Sequence, residues 1–169
     1  MRYFITGTPG SGKTTIGKLL QEKGYGFVDS DHTPGLARWY NDKTGEAVPP
    51  NPTEDAEWYR QHSWNWDREK LKELLDSYGE KDVFVCGITS NQTNGLDLFD
   101  KVFLLTSNKE ELRTRMLNRR NTADPEAIDT VFEWHDAFES EMILHGAIPI
   151  DSSQEPNIIV NEILFTKLS

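Results

Sequence analysis

Residues 7–14 read Gly7-Thr8-Pro9-Gly10-Ser11-Gly12-Lys13-Thr14 and are followed by Thr15. Every fixed position of the pattern G-x-x-x-x-G-K-[S/T] is met. Arg2–Thr6, just before it, is a short β-prone run, and the residues from Lys13 to Lys23 carry helical periodicity closed by Gly24. A strand turning through glycines into a helix aims several backbone N–H groups, and the positive end of the helix dipole, at one point. That arrangement suits a phosphate chain. Gly7, Pro9, Gly10, Ser11, Gly12, Lys13, Thr14 and Thr15 are therefore the expected nucleotide cradle, with Lys13 reaching the β/γ-phosphates and the Thr14 hydroxyl on Mg²⁺.

Outward from this loop, apolar runs alternate with helical patterns. Strands are expected at residues 3–6, 26–29, 83–86, 102–105 and 147–150, and helices at 13–23, 109–118, 125–145 and 156–168. Near-continuously apolar strands alternating with helices predict an α/β fold whose parallel sheet is covered on both faces. Asp124-Pro125-Glu126 supplies an N-cap, a proline at the first helical position and an early acid. Residues 33–78 break the rhythm: Trp39, Tyr40, Trp58, Tyr59, Trp64 and Trp66 crowd around Pro49, Pro50 and Pro52. Two helices are expected here, one after Thr53 and one ending near Tyr78, besides a short one opening at Thr33-Pro34 and carrying Arg38. On the helix ending near Tyr78, Trp64 shares a stripe with Leu71 and Leu75, which reads as core. Trp66 falls with Lys70 and Glu73 on the polar face, either loosely packed or lining a pocket.

The second strand ends Asp29-Ser30-Asp31-His32. Two carboxylates one residue apart at a strand's C-terminal end point the same way, toward the crevice where ligands of open α/β sheets sit. One acid there orients or deprotonates an acceptor hydroxyl, and another helps hold a metal's waters, so Asp31 is assigned to catalysis and the acceptor and Asp29 to the metal. His32 reads as a surface loop histidine. Arg113, Arg115, Arg119 and Arg120 crowd one segment of an acidic chain, whereas Asp124–Glu141 holds seven acids and no lysine or arginine. Arg115 and Arg119 share a helix face, suited to stabilising phosphoryl charge or stacking on a base; Arg113 and Arg120 read as solvated. The third strand ends in Cys86-Gly87 where many phosphate-loop enzymes place a metal-binding acid, and Asn91 and Gln92 beyond it are either a polar turn or hydrogen-bond partners of an acceptor.

At 169 residues the chain is one domain by size. A net charge of −10 and a pI close to 4.8 speak against an extended nucleic-acid footprint. The single cysteine, Cys86, lies in an apolar run and reads as a small buried hydrophobe, which fits a reducing, cytoplasmic setting. No apolar run approaches the ~18–20 residues that span a bilayer, and no signal peptide is recognised, so a soluble protein with no membrane partner is expected.

The chain resembles the small-molecule and nucleoside-monophosphate kinases of the phosphate-loop class. The loop and the Arg115-x-x-x-Arg119 segment are similar to adenylate kinases, and the Phe27-x-Asp29-x-Asp31 ending is similar to shikimate and gluconate kinases. The resemblance implies a three-layer fold with a five-stranded parallel sheet of order 2-3-1-4-5. It further implies a core of residues 1–32 and 79–169, a small helical acceptor-binding insertion at about 33–78, and a lid after Arg119. It implies Arg115 stacked on adenine, Arg119 on phosphates, and Asp151–Pro156, Ser153 included, along the base. Three departures leave the acceptor open. Only Asn121–Asp124 separates Arg120 from the next helix, the arginine cluster that follows a long lid is missing, and so is the glycine-rich motif of shikimate kinases.

The leading expectation is an ATP- and Mg²⁺-dependent phosphotransferase, monomeric or homodimeric, acting on a small molecule such as a nucleotide, nucleoside or hydroxylated metabolite. Arg38, Trp66 and Asn91 join Asp31 as acceptor-binding candidates. The competing reading is a nucleotide-binding ATPase or regulatory switch whose aromatic region contacts a partner. A GTPase is the weakest option, because Asn108-Lys109-Glu110-Glu111 lacks the aspartate of the guanine-reading motif and Asn108 reads as a helix cap.

Overall fold

The structure is a computed structural model that describes residues 1–51, 55–118 and 125–168, together with the backbone of residue 119. Five parallel strands form the central sheet: β1 (Arg2–Thr6), β2 (Gly26–Asp29), β6 (Val83–Cys86), β7 (Lys101–Thr106) and β8 (Ile148–Asp151). They lie in the order β2-β6-β1-β7-β8. Counted along the chain within this sheet, that is the expected 2-3-1-4-5.

The near-continuous apolar character of the strands follows from burial on both faces. Tyr3, Ile5, Phe84, Cys86, Phe103 and Leu105 point to one side, where Ile16 and Leu20 of α1 (Lys13–Glu22) and Ile159, Val160 and Ile163 of α6 (Pro156–Thr166) cover them. Phe4, Val83, Val85, Val102 and Leu104 point to the other, against Leu71 and Leu75 of α3 (Arg68–Ser77) and Met142 of α5 (Pro125–Leu144). The remaining helices are α2 (Ala56–Arg60) and α4 (Lys109–Arg119), and a 3₁₀ segment runs over Gln92–Leu98. Among the described residues no helix is long and apolar enough to cross a membrane.

The insertion differs from expectation. In place of mainly helical structure it holds a three-stranded antiparallel sheet of β3 (Ala37–Asn41), β4 (Ala47–Val48) and β5 (His62–Trp66), ordered β4-β3-β5. Clustered aromatics favour a pleated, half-buried surface over a helix. The helix expected from Thr33-Pro34 does not form. Thr33 Oγ1 instead donates to Asp29 O at 2.6 Å and Leu36 N closes a turn on Thr33 O, a local bond that competes with helix. The β3–β4 turn is set by Asn41, whose Oδ1 accepts from Lys43 N and Thr44 N, both at 3.0 Å. The helix expected after Thr53 is α2, and the one expected to end near Tyr78 is α3, which begins only after Asp67, whose side chain caps Lys70 N. Trp64 and Trp66 are therefore two apart on one strand and share a face, with Trp66 buried in the core and Trp64 packed at its edge.

Candidate functional site

The loop between β1 and α1 is a closed cradle. Lys13 is buried, and its Nζ donates to Gly7 O at 2.7 Å and Thr8 O at 3.2 Å, curling the ammonium over the loop. Gly10 and Gly12 have φ of +89° and +92°, conformations that side chains resist. A Cβ on Gly10 would also press on Met116 and Leu112 of α4, so the loop is packed as well as bent. The hydroxyls of Thr8 and Ser11 are buried with no hydrogen-bond partner among the described residues. Buried polar groups are normally satisfied, and orphaned hydroxyls beside a helix N-terminus fit a missing anionic ligand.

Thr14 Oγ1 donates to Asp29 Oδ2 at 3.0 Å. The other oxygen, Asp29 Oδ1, faces His32 Nδ1 at 2.9 Å and accepts from Asp31 N at 3.2 Å. Asp29 thus turns toward the cradle and His32 supports it from the exposed side. Among the described residues no group of three or more His, Cys, Asp or Glu gathers for a metal. A pair of hard oxygens, Thr14 and Asp29, fits Mg²⁺, which keeps several waters and takes its remaining ligands from phosphates. These two residues would hold it.

Asp31 turns the other way, into a large cavity. Its Oδ1 accepts from Trp64 Nε1 and Ile88 N, each at 3.4 Å. Burial pushes its carboxyl above the ordinary carboxylate range and neighbouring Asp29 adds to this, while Lys13 and the hydrogen bonds from Ile88 and Trp64 pull against it. The glycine at the end of β6 now has a physical reason: a Cβ at Gly87 would stand 1.8 Å from Ser30 Oγ and 3.0 Å from Asp31 Oδ1. Ser30 and Asp31 after β2 occupy the space that a side chain after β6 would fill. Burial drives the Cys86 thiol far up, away from thiolate chemistry.

Arg115 joins three elements. Nη2 donates to Ser152 O at 2.9 Å and to Glu111 Oε1, and Nη1 lies 3.5 Å from both Gly10 O and Ser152 Oγ. Its guanidinium therefore sits between the phosphate loop, α4 and the β8–α6 turn. In that turn Ser153 is exposed and its N–H donates to Asp151 Oδ1 at 2.9 Å, which holds Asp151 below its usual range. Arg113 is paired with Asp129 on α5. The Arg119 side chain, Arg120, Asp124 and the Thr53 region lie outside the described residues.

The cavity encloses about 920 Å³ between the insertion, the β6 end and α5. Its walls include Trp39, Tyr59, Trp64, Trp134 and Phe138, with Thr89, Ser90 and Gln92 on the β6 side. Three acceptor candidates stand elsewhere. Trp66 is buried in the core, edge-on to Phe4 with ring centroids 4.9 Å apart, whereas Trp64, on the same face of β5 but nearer the cavity, reaches Asp31. Asn91 clasps the Trp66 backbone: Trp66 N donates to Asn91 Oδ1 at 2.9 Å, and Asn91 Nδ2 donates to Trp66 O at 3.0 Å. Arg38 is exposed on the face of β3 opposite Trp39 and does not line the cavity. Trp39 and Trp134 were missed. Trp39 pairs directly across from Trp64, so recognising Trp64-x-Trp66 as strand alternation would have revealed both cavity tryptophans of the sheet.

Comparison with known proteins agrees with this geometry. A family described as the AAA domain matches residues 4–142. A protein of Methanocaldococcus jannaschii named "Putative adenylate kinase" is 31% identical over 122 residues, 70% of this chain; the match spans only 59% of that relative's length. Among solved structures, shikimate kinase from Aquifex aeolicus superposes with a TM-score of 0.60 at 22% identity, covering 98% of this chain and 95% of its own. Deoxyadenosine kinase from M. mycoides, solved with bound dATP, gives 0.58 at 15% identity over the whole of both chains. The fold is that of phosphate-loop kinases.

Proposed function

The chain belongs to the AAA domain family of phosphate-loop proteins, and from that premise we propose that it is a phosphotransferase moving the γ-phosphate of ATP to a hydroxyl of a small molecule. One observation carries this reading. The two acids after β2 divide their work, with Asp29 bonded to Thr14 of the phosphate loop and Asp31 facing a cavity large enough for a second substrate. A site for hydrolysis alone needs no such chamber.

Backbone amides of residues 10–14, Lys13 and the α1 N-terminus would bind the triphosphate and stabilise charge developing on the transferred group. Mg²⁺ on Thr14 and Asp29 would supply neutralisation of phosphate charge. Arg115 would flank the base, and Arg119, one turn on along α4, would be the candidate for phosphate contact. Asp31 would accept the proton of the acceptor hydroxyl as its oxygen bonds to the γ-phosphorus and the β–γ bridging bond breaks, releasing ADP. Burial, which makes Asp31 more basic than an exposed carboxylate, favours that role.

Incubation with Mg²⁺ and ATP across nucleosides, nucleotides, polyols and amino alcohols, followed by ³¹P NMR, tests the proposal. Transfer to an acceptor is expected. ATP hydrolysis with every acceptor unchanged would favour the ATPase or switch reading.

A further inference from the structure

Among the described residues, the cavity beside Asp31 presents no uncommitted positive charge. Among the described residues that line it, Arg60 and His62 are the only basic side chains. Arg60 is committed: its Nε lies 3.2 Å from both Glu133 carboxylate oxygens and its Nη2 2.7 Å from Oε1, with Glu57 Oε2 at 3.7 Å from Nη1. His62 is committed too. Nδ1 faces Trp58 O at 2.7 Å and Nε2 faces Asn41 Nδ2 at 3.2 Å. Because Asn41 Oδ1 already accepts two backbone N–H groups, its Nδ2 is the group turned to His62. Nε2 must then accept and Nδ1 must donate, the bonding pattern of the neutral ring.

The charged part of the remaining lining is acidic, and much of the rest is aromatic or hydroxylic. Asp31, Asp42, Glu133 and Glu141 line the cavity with negative groups, and Trp39, Trp64 and Trp134 present aromatic faces. Trp64 is bonded to Asp31, so a hydroxyl presented to Asp31 leaves the body of its molecule beside that ring. Thr89 Oγ1, between Ile88 and Ser90 beyond the β6 end, is buried with no partner among the described residues and can bond a second polar group.

We infer that the acceptor is a hydroxyl compound with a flat or apolar face and no phosphate or carboxylate, a nucleoside or amino alcohol in preference to a nucleoside monophosphate or sugar acid. This rests on the phosphotransfer reading and narrows its substrate. An anionic acceptor would meet the carboxylates of Asp31, Asp42 and Glu141 and, among the described residues, no uncommitted cation, and an uncompensated charge placed among like charges is a strong discriminator.

The test uses matched pairs differing by one anionic group: adenosine and AMP, cytidine and CMP, and a hexitol and its aldonic acid. Binding is read by quenching of tryptophan fluorescence, with Mg²⁺ and a non-hydrolysable ATP analogue present, so it does not depend on turnover. The uncharged member should bind at least about tenfold more tightly in the pairs that bind. Equal or tighter binding of the anionic members, or no binding by any uncharged member, overturns the inference. Glu133→Gln removes the carboxylate holding Arg60, and the anionic members should then gain severalfold in affinity; no gain also overturns it. Selective binding of uncharged members with no phosphoryl transfer would leave this inference standing and defeat the kinase reading instead.

Discussion

Trp64 Nε1 and Asp31 Oδ1 lie 3.4 Å apart, so the cavity's aromatic wall and its carboxylate are joined by one hydrogen bond. The contact couples a residue of the insertion to one at the end of a core strand, and it sets the geometry on which transfer would depend. Asp31→Asn keeps the acceptor oxygen for Trp64 and Ile88 but removes the base. Phosphoryl transfer should fall by about 10²–10⁴-fold while affinity for Mg²⁺–ATP is retained, checked by steady-state kinetics beside calorimetric titration.

The same substitution makes a stability prediction whose sign follows from the raised Asp31 carboxyl. A carboxyl that holds its proton more tightly folded than unfolded stabilises the fold in acid, and that contribution is lost as pH rises through the folded value. At neutral pH its buried charge is a cost. Asp31→Asn should therefore raise the thermal midpoint at neutral pH, and the gain should vanish below the ordinary carboxylate range. In the unsubstituted protein, transfer should decline on the acid side at a pH above that range.

Lys13 holds its ammonium against Gly7 O and Thr8 O, poised above the loop. Lys13→Ala should lower turnover by about 10²–10³-fold, the scale of removing one preorganised charge-stabilising donor, with a thermal midpoint close to that of the parent. Kinetics and calorimetry on the same preparation check both halves.

Trp66 and Trp64 should separate stability from acceptor binding. Trp66→Ala empties a core position beside Phe4 and Phe99 and should cost about 3–5 kcal/mol in urea unfolding. Trp64→Phe keeps an aromatic face but removes the indole N–H bonded to Asp31, so its principal effect should be a higher KM for the acceptor.

Gly87 admits no side chain while Ser30 keeps its hydroxyl. Gly87→Ala should destabilise by about 1–3 kcal/mol, as overpacking does. Combining it with Ser30→Ala, which removes the atom 1.8 Å from the new methyl, should recover part of that loss in a double-mutant cycle.

The sheet and the phosphate loop were legible because one local signal fixed each. Apolar strands alternating with helices indicated the parallel sheet, the resemblance implied its strand order, and Gly7–Thr14 indicated the turn into α1. The acids after β2 were legible as a pair but not in their opposed orientations, since which way Asp31 turns depends on Ile88 N and Trp64 Nε1, residues far along the chain. The insertion was misread where the helical period was fitted through Trp64 and Trp66. Leu71 and Leu75 do share a helix face, but the stripe was carried back through Asp67, the cap at which the helix begins. Asn91 reads from the sequence as a polar turn or an acceptor contact because its partner is the main chain of Trp66, which no side-chain pattern encodes.

That two-way clasp between the Asn91 amide and the Trp66 main chain, together with Ser90 N donating to Trp64 O at 2.7 Å, sews the small sheet to the rim of the large one. The cavity-lining positions of β3 and β5, Trp39 and Trp64, then behave like interchangeable tiles on a fixed frame. Selection or design can repaint them for a new guest molecule without loosening the machinery that grips the nucleotide.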